Sequence, residues 1–361
     1  MKYNEIRRKT RAVSVGGVTV GGTAPIAIQS MTNTDTHDYE ATRAQVLALR
    51  DAGCDIVRLT VPDLAAADTL YRLKNEGIGV PLVADIHFDY RVAVRCAELG
   101  VDKIRINPGN IGDDARVCEV VRACEKNRVP IRIGVNGGSL EKHILARYGA
   151  PTPEALCESA LYHVSLLEKF DFRDIVVSMK ASDVPTMIAA NRLLAAACDY
   201  PIHLGVTEAG NKARGSIKSA IGIGALLADG IGDTLRVSLT ENPVEEIGAA
   251  RDILSALGVE GQRGMNIVSC PTCGRTKIDL IDLVARFERA AGEAGLLDFP
   301  IRVALMGCAV NGPGEAREAD IGMCGGVGEA LLISHGEILE KLPEGEIIPR
   351  LIAEIKKLRN T

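Results

Sequence analysis

Three cysteines in the last hundred residues have the type and spacing to hold a metal centre. Cys270 and Cys273 flank two residues in Cys270-Pro271-Thr272-Cys273, so one tight turn can aim both sulfurs at a single centre. Cys308 adds a third thiolate from a glycine-rich turn, Gly307-Cys308-Ala309-Val310-Asn311-Gly312-Pro313-Gly314-Glu315, that follows an apolar run. Soft thiolates in this arrangement select an iron–sulfur cluster or zinc. The first would move electrons, and the second would pin the chain together.

A second set of chemical groups recurs upstream. Arg58, Arg105, Arg132, Lys180 and Arg236 lie in or at the ends of short apolar runs, with Asp85, His87, Asn107, Asn136, Glu208 and Ser238 similarly placed. Period-two alternation puts Arg105 with Asn107, and Arg236 with Ser238, on one strand face. Any single arginine could point outward or pair with a carboxylate, but five cations together need anions to offset them. A multiply charged ligand, most simply a phosphate ester, supplies those anions. Glu208, in Thr207-Glu208-Ala209-Gly210, would stand among these cations as a counter-ion or as a proton donor or acceptor.

The runs that must position these groups are Pro25–Gln29, Ile56–Val61, Pro81–His87, Lys103–Asn107, Pro130–Asn136, Asp174–Lys180, Pro201–Glu208 and Thr234–Leu239. Amphipathic stretches such as Tyr39–Ala52, Arg91–Leu99, Asp114–Asn127 and Pro153–Lys169 separate them. Strands alternating with helices argue for a parallel sheet, and eight units in about 250 residues have the size of a TIM (β/α)8 barrel. An open doubly wound sheet is the alternative. No G-x-G-x-x-G follows a strand, so neither that fold nor a bound nicotinamide or flavin is indicated.

The last barrel helix has Asn242 as cap, Pro243 in its first turn, Glu245 and Glu246 toward the positive end of its dipole, and Gly258 as its stop. At roughly 15 residues, or about 22 Å, it carries the chain to the end of the barrel opposite the catalytic rim. The domains are then 1–260, the barrel, and 261–361, a small α+β unit carrying the cysteines. In the latter we expect strands at Met265–Ser269 and Ile301–Met306 and helices at Asp279–Ala294 and Ile347–Leu358. Further apolar runs cover Ala330–Ser334 and Ile338–Leu342.

Composition narrows the function. The chain has 361 residues, 47% hydrophobic and 25% charged, enough for an ample core. A formal net charge of -5 gives no global attraction to nucleic acid or to an acidic membrane, and neither is expected as a partner. Ten cysteines in a chain this long do not form a secreted disulfide scaffold. Met1–Val15 has no apolar core of a signal peptide, and no run of about 18 apolar residues could cross a bilayer, so a cytoplasmic location is expected.

Seven stretches share one resemblance. They are Gln29-Ser30-Met31-Thr32-Asn33-Thr34, Val83-Ala84-Asp85-Ile86-His87-Phe88-Asp89-Tyr90, Arg105-Ile106-Asn107-Pro108-Gly109-Asn110-Ile111-Gly112 and Lys180-Ala181-Ser182-Asp183. Gly230-Ile231-Gly232-Asp233-Thr234-Leu235-Arg236-Val237-Ser238, the Cys-Pro-Thr-Cys turn and the Asn-Gly-Pro-Gly-Glu loop complete them. From about Ile6 onward the chain resembles the bacterial 4-hydroxy-3-methylbut-2-enyl diphosphate synthases, in their short two-domain form.

The resemblance implies an iron–sulfur oxidoreductase of non-mevalonate isoprenoid biosynthesis. Two electrons would open 2-C-methyl-D-erythritol 2,4-cyclodiphosphate and expel water, giving (E)-4-hydroxy-3-methylbut-2-enyl diphosphate. The resemblance further implies that Arg58, Arg105, Asn107, Arg132, Asn136, Lys180, Arg236 and Ser238 would hold this cyclic diphosphate, and that Glu208 would handle protons. Counting cysteines alone would make Cys324 the fourth cluster ligand. The family pattern takes Glu315, giving a 4Fe-4S cluster on Cys270, Cys273, Cys308 and a displaceable Glu315. Cys54, Cys96, Cys118, Cys124, Cys157 and Cys198 would be buried free thiols.

With no flavin of its own, the chain would draw electrons from a flavodoxin or a ferredoxin. A homodimer is implied, and the course of the last barrel helix makes it head to tail, each cluster domain over the partner's barrel. Three rival readings are a zinc-stabilised barrel enzyme, an electron carrier without turnover, and a folate- or pterin-binding barrel. The loaded rim opposes the carrier, and an aromatic content of 3% with no tryptophan opposes a stacked ring ligand.

Overall fold

The computed structural model describes residues 3–259, 264–310 and 312–360. The chain divides into two compact units, Met1–Leu257 and Gly258–Thr361. The boundary read from the sequence, between residues 260 and 261, lies outside the described residues, as does Asn311 of the glycine-rich turn.

In the first unit every one of the eight apolar runs contributes a strand, and a hairpin that the pattern did not announce precedes them. The hairpin is β1 (Ala12–Val15) and β2 (Val18–Gly21), paired antiparallel about Gly16 and Gly17. Those glycines have φ of 56° and 93°, a left-handed geometry that disfavours side chains. The eight strands that follow are β3 (Ala27–Met31), β4 (Ile56–Thr60), β5 (Leu82–Asp85), β6 (Lys103–Ile106), β7 (Ile131–Asn136), β8 (Ile175–Lys180), β9 (His203–Leu204) and β10 (Thr234–Leu235). They pair in parallel in the order β8-β7-β6-β5-β4-β3-β10-β9. A parallel bridge from Val177 to Ile202 joins the two ends of that order, which makes the sheet a barrel.

Helices cover the outside, and their starts are fixed by short polar side chains. The carboxylates of Asp38, Asp63, Asp89, Asp113 and Asp183, the Thr152 hydroxyl and the Asn211 amide oxygen each accept a first-turn backbone N–H. Such caps satisfy donors that the helix itself cannot, and each contributes about 1 kcal/mol. The last barrel helix spans Val244–Ala256, and Asn242 Oδ1 accepts the Val244 N–H at 3.1 Å.

Inside the barrel the floor is apolar. Ala27, Ile56, Val83 and Val176, from four strands, pack with Val13, Val15 and Val20 of the hairpin in one buried cluster. The hairpin therefore stoppers the barrel at the strands' N-terminal end. Two residues further along each strand the inward positions become polar, and the chemistry begins there.

The second unit is a five-stranded mixed sheet with helices on it. Its strands β11 (Asn266–Ser269), β12 (Arg302–Met306), β13 (Ile321–Gly325), β14 (Glu329–Ser334) and β15 (Glu337–Pro343) pair in sequence order. The first three are parallel and the rest antiparallel. Helices Leu280–Glu293 and Ile347–Asn360 pack on it through Leu283, Phe287, Leu351 and Ile355. Two elements were absent from the sequence reading: β13 and the short helix Gly312–Ala316.

Candidate functional site

At the C-terminal mouth of the barrel, Arg58, Arg105, Arg132, Asn136, Lys180, Arg236 and Ser238 line one cavity of about 280 Å³. Met31, Asp85, His87, Ser178 and Thr207 complete much of its wall. The strand register explains the convergence. Arg105 pairs with Arg132 and Asn136 with Lys180 across neighbouring strands, and register partners face the same side of a sheet.

Five cationic side chains here face two carboxylates, and each carboxylate is spoken for. Asp85 lies 3.0 Å from Arg105 and 3.5 Å from Arg58. Burial alone would raise the Asp85 pKa, but Arg58, Arg105 and Arg132 overrule it and hold the carboxyl at about 2. Burial also lowers Arg58 to about 10, against the pull of Asp85 and with the push of Arg236 and Arg105. Lys180 is lowered well below its ordinary value, first by burial and then by Arg58, Arg236 and Arg132. The protein alone leaves this cavity short of negative charge.

Glu246 is the second carboxylate, and it has a partner that its place in a helix's first turn did not announce. It is only 2% exposed, and it accepts Arg236 Nε at 3.0 Å, Arg236 Nη2 at 2.9 Å and the Ser30 hydroxyl at 2.7 Å. It orients an arginine while standing in the first turn of its helix, where the dipole also favours it. A signal was available: Glu246, Ala250 and Ile253 share the buried face of their helix, and a charge on such a face needs a partner. Met31 was also missed; its sulfur lies 3.1 Å from Arg58 Nε and 2.7 Å from Nη2.

Two expected members stand apart. Asn107 is buried, begins the helix Pro108–Ile111 and does not line the cavity; its Oδ1 has no partner among the described residues. Glu208 is exposed and lines an adjoining cavity of about 630 Å³ with Ser182 and Asp183, so it is not among the cations. Its backbone is left-handed, φ 53°, which turns the residue out of the strand direction. Asn136 and Thr207 border both cavities.

In the second unit a cavity of about 370 Å³ is lined by Cys270, Cys273, Cys308 and Glu315 together with Arg275 and Thr276. The Gly307 N–H donates to Cys270 Sγ at 3.3 Å. The Cys273 thiol is held below its ordinary value by the Arg275 N–H first and its guanidinium second, favouring the thiolate that binds metal. Among the described residues no three His, Cys, Asp or Glu side chains converge on a single ion. The four donors rim a cavity instead, which fits a polynuclear group whose irons each take their own protein ligand.

Cys324 is not on that rim. It is 1% exposed, packs with Ala304, Met306 and Ala316, and burial pushes its thiol up to about 12. Of the remaining cysteines, Cys54, Cys96, Cys124 and Cys157 are buried; Cys118 and Cys198 are only half-buried, a correction to the expectation for both. Cys198 caps a helix end, where the chain turns back toward solvent.

No helix among the described residues is long and apolar enough to cross a membrane. A type I 3-dehydroquinate dehydratase from Clostridium difficile matches the barrel with a TM-score of 0.51 at 16% identity, over 69% of this chain and 97% of that one. That likeness concerns the fold alone. Two relatives, both called 4-hydroxy-3-methylbut-2-en-1-yl diphosphate synthase (flavodoxin), match end to end. The one from Geobacter sulfurreducens is 55% identical over 98% of this chain and 99% of its own. The one from Clostridium perfringens is 54% identical over the same shares. Residues 10–251 match the family described as the GcpE TIM-barrel domain and residues 266–357 the GcpE protein C-terminal domain, so the chain belongs to the GcpE family.

Proposed function

We propose that this enzyme reductively opens and dehydrates 2-C-methyl-D-erythritol 2,4-cyclodiphosphate to (E)-4-hydroxy-3-methylbut-2-enyl diphosphate, a step of non-mevalonate isoprenoid biosynthesis. Two electrons and one proton turn the cyclic dianion into water and an open-chain trianion. The observation that carries the reading is the cavity where five cations face only two protein carboxylates, both already engaged. A diphosphate supplies the missing charge, and bidentate arginines fix its orientation.

Cys270, Cys273, Cys308 and Glu315 are the residues that would hold a 4Fe-4S cluster. When bound, such a cluster supplies electrons one at a time to the substrate. Glu315, a hard carboxylate beside soft thiolates, is the ligand most readily exchanged. Arg58, Arg105, Arg132, Lys180 and Arg236 grip the diphosphate, while Asn136 and Ser238 orient it. Glu208 lines the adjoining cavity, and its carboxylate would move a proton from there. We further infer flavodoxin as electron donor, after the relatives' names, with ferredoxin as the alternative. The head-to-tail homodimer and a cytoplasmic location belong to the same reading; a chain of ten cysteines, three of which would hold a cluster as thiolates, suits a reducing compartment.

The test is anaerobic turnover of the cyclodiphosphate with a chemical reductant. Wild-type protein should be brown, with thiolate–iron absorption near ~400 nm. Cys273→Ser should lose colour and activity together. Glu208→Gln should keep its colour and lose about 10²–10⁴ in kcat, the range for a missing general acid. Cys324→Ser should keep the cluster. Colourless, iron-free protein with full activity would overturn the reading.

A further inference from the structure

Below the cationic cavity the barrel holds a second polar layer that does not line it. Lys103 is 0% exposed, and its Nζ has no hydrogen-bond partner among the described residues. Its register partner Val83 belongs to the apolar floor cluster, so Lys103 also points into the barrel. Arg105, two residues further along β6, reaches the cavity above. Gln29 and His203 are inward, buried and likewise incompletely paired: both polar atoms of the Gln29 amide and His203 Nε2 lack partners among the described residues. His203 Nδ1 lies 3.4 Å from Thr234 Oγ1.

The charges around Lys103 come from every side of the barrel. Arg58 approaches from β4, Arg105 from β6 itself, Arg132 from β7 and Lys180 from β8; Arg236 follows β10. His203 faces it from β9; Asp85 at the end of β5 lines the cavity above, and Glu246, engaged with Arg236, is the second carboxylate. An ammonium buried without a partner among so many cations costs several kcal/mol, and it sheds its proton instead. Burial, then Arg132 and Arg58, lower Lys103 well below its ordinary value, and His203 is lowered for like reasons.

A dianionic diphosphate seated above offsets most of that positive field. We propose that Lys103 is a positioning residue that matches the charge of the barrel to its ligand: Nζ is an uncharged amine in the free enzyme and takes a proton from solvent when the diphosphate binds. It thereby strengthens the hold on an anion it never touches. The same reserve suits a reaction whose ligand gains a negative charge. This inference rests on the diphosphate reading above.

Calorimetric binding of the cyclodiphosphate to the anaerobic holoenzyme, without reductant, in two buffers of different ionisation enthalpy, tests it. Each phosphorus of this ligand carries a single strongly acidic oxygen, so its charge is constant near neutrality and any proton taken up belongs to the protein. Wild type should take up protons, and its affinity should fall as pH rises, by up to tenfold per pH unit for one linked proton. Any uptake by Lys180 is common to wild type and variant, so the difference between wild type and Lys103→Met isolates Lys103. Lys103→Met, and Lys103→Gln as a second variant against misfolding, should each lose up to one proton of uptake and flatten the pH profile while still binding. Binding by wild type without uptake, or unchanged uptake in folded Lys103 variants, overturns the inference and leaves the functional reading standing. Absence of binding by wild type overturns the functional reading itself.

Discussion

Glu246 shows how much one unremarkable carboxylate decides at the residue scale. It holds Arg236 by two guanidinium N–H groups and is itself tied to Ser30, so the arginine presents its remaining face to the cavity. Glu246→Gln removes the charge but keeps the size. Charge-assisted hydrogen bonds contribute about 1.5–3 kcal/mol, so kcat/KM for the cyclodiphosphate should fall roughly 10- to 100-fold, chiefly through KM. Steady-state kinetics checks this, and an unchanged KM would mean Arg236 needs no such anchor. The arginines and the lysine of the cavity were legible because charges at alternate positions of apolar strands have few other uses. Glu246 was less so, because its partner lies on another element and a carboxylate in a first turn already has a use at the helix dipole. Glu208 was placed among the cations by its run alone; its backbone is left-handed there, and the residue lines the adjoining cavity instead.

At the scale of elements, the short β9 and β10 were still visible as apolar runs although only two residues of each make the ladder. β13, Ile-Gly-Met-Cys-Gly, was invisible because glycine, methionine and cysteine carry little strand preference; burial on both faces makes it a strand. The hairpin had a signal, two glycines between valines, that the charged residues before it obscured. β7 carries a tighter constraint. A Cβ at Gly134 would lie 2.3 Å from Arg105 Nε and 2.5 Å from Nη2. Gly134→Ala should therefore expel Arg105 from its place against Asp85 and the Gly134 carbonyl. The expected result is near-wild-type melting with kcat/KM lowered roughly 10- to 100-fold, a loss of the size seen for one charged hydrogen-bonding group. Wild-type kinetics in this variant would show that the arginine is free to reach the ligand from elsewhere.

At the scale of the whole molecule, chemistry is split between two units of different architecture. The barrel carries the cations and the α+β unit carries the three cavity-lining thiols Cys270, Cys273 and Cys308, and each has its own core. If each active site joins the barrel of one chain to the cluster domain of another, two differently damaged chains can repair each other. Mixing Cys273→Ser with Arg236→Ala, each inactive alone, should restore activity toward roughly a quarter of wild type after subunit exchange, because half the dimers then hold one intact site. Continued inactivity of an exchanged mixture would place both halves of the site within one chain.

The hairpin has a consequence for traffic. With valines corking the floor, the barrel is a blind alley with a single doorway at the strand ends. Whatever arrives must leave by the way it came, so reactant and product cannot queue at opposite exits. They take turns on the same threshold.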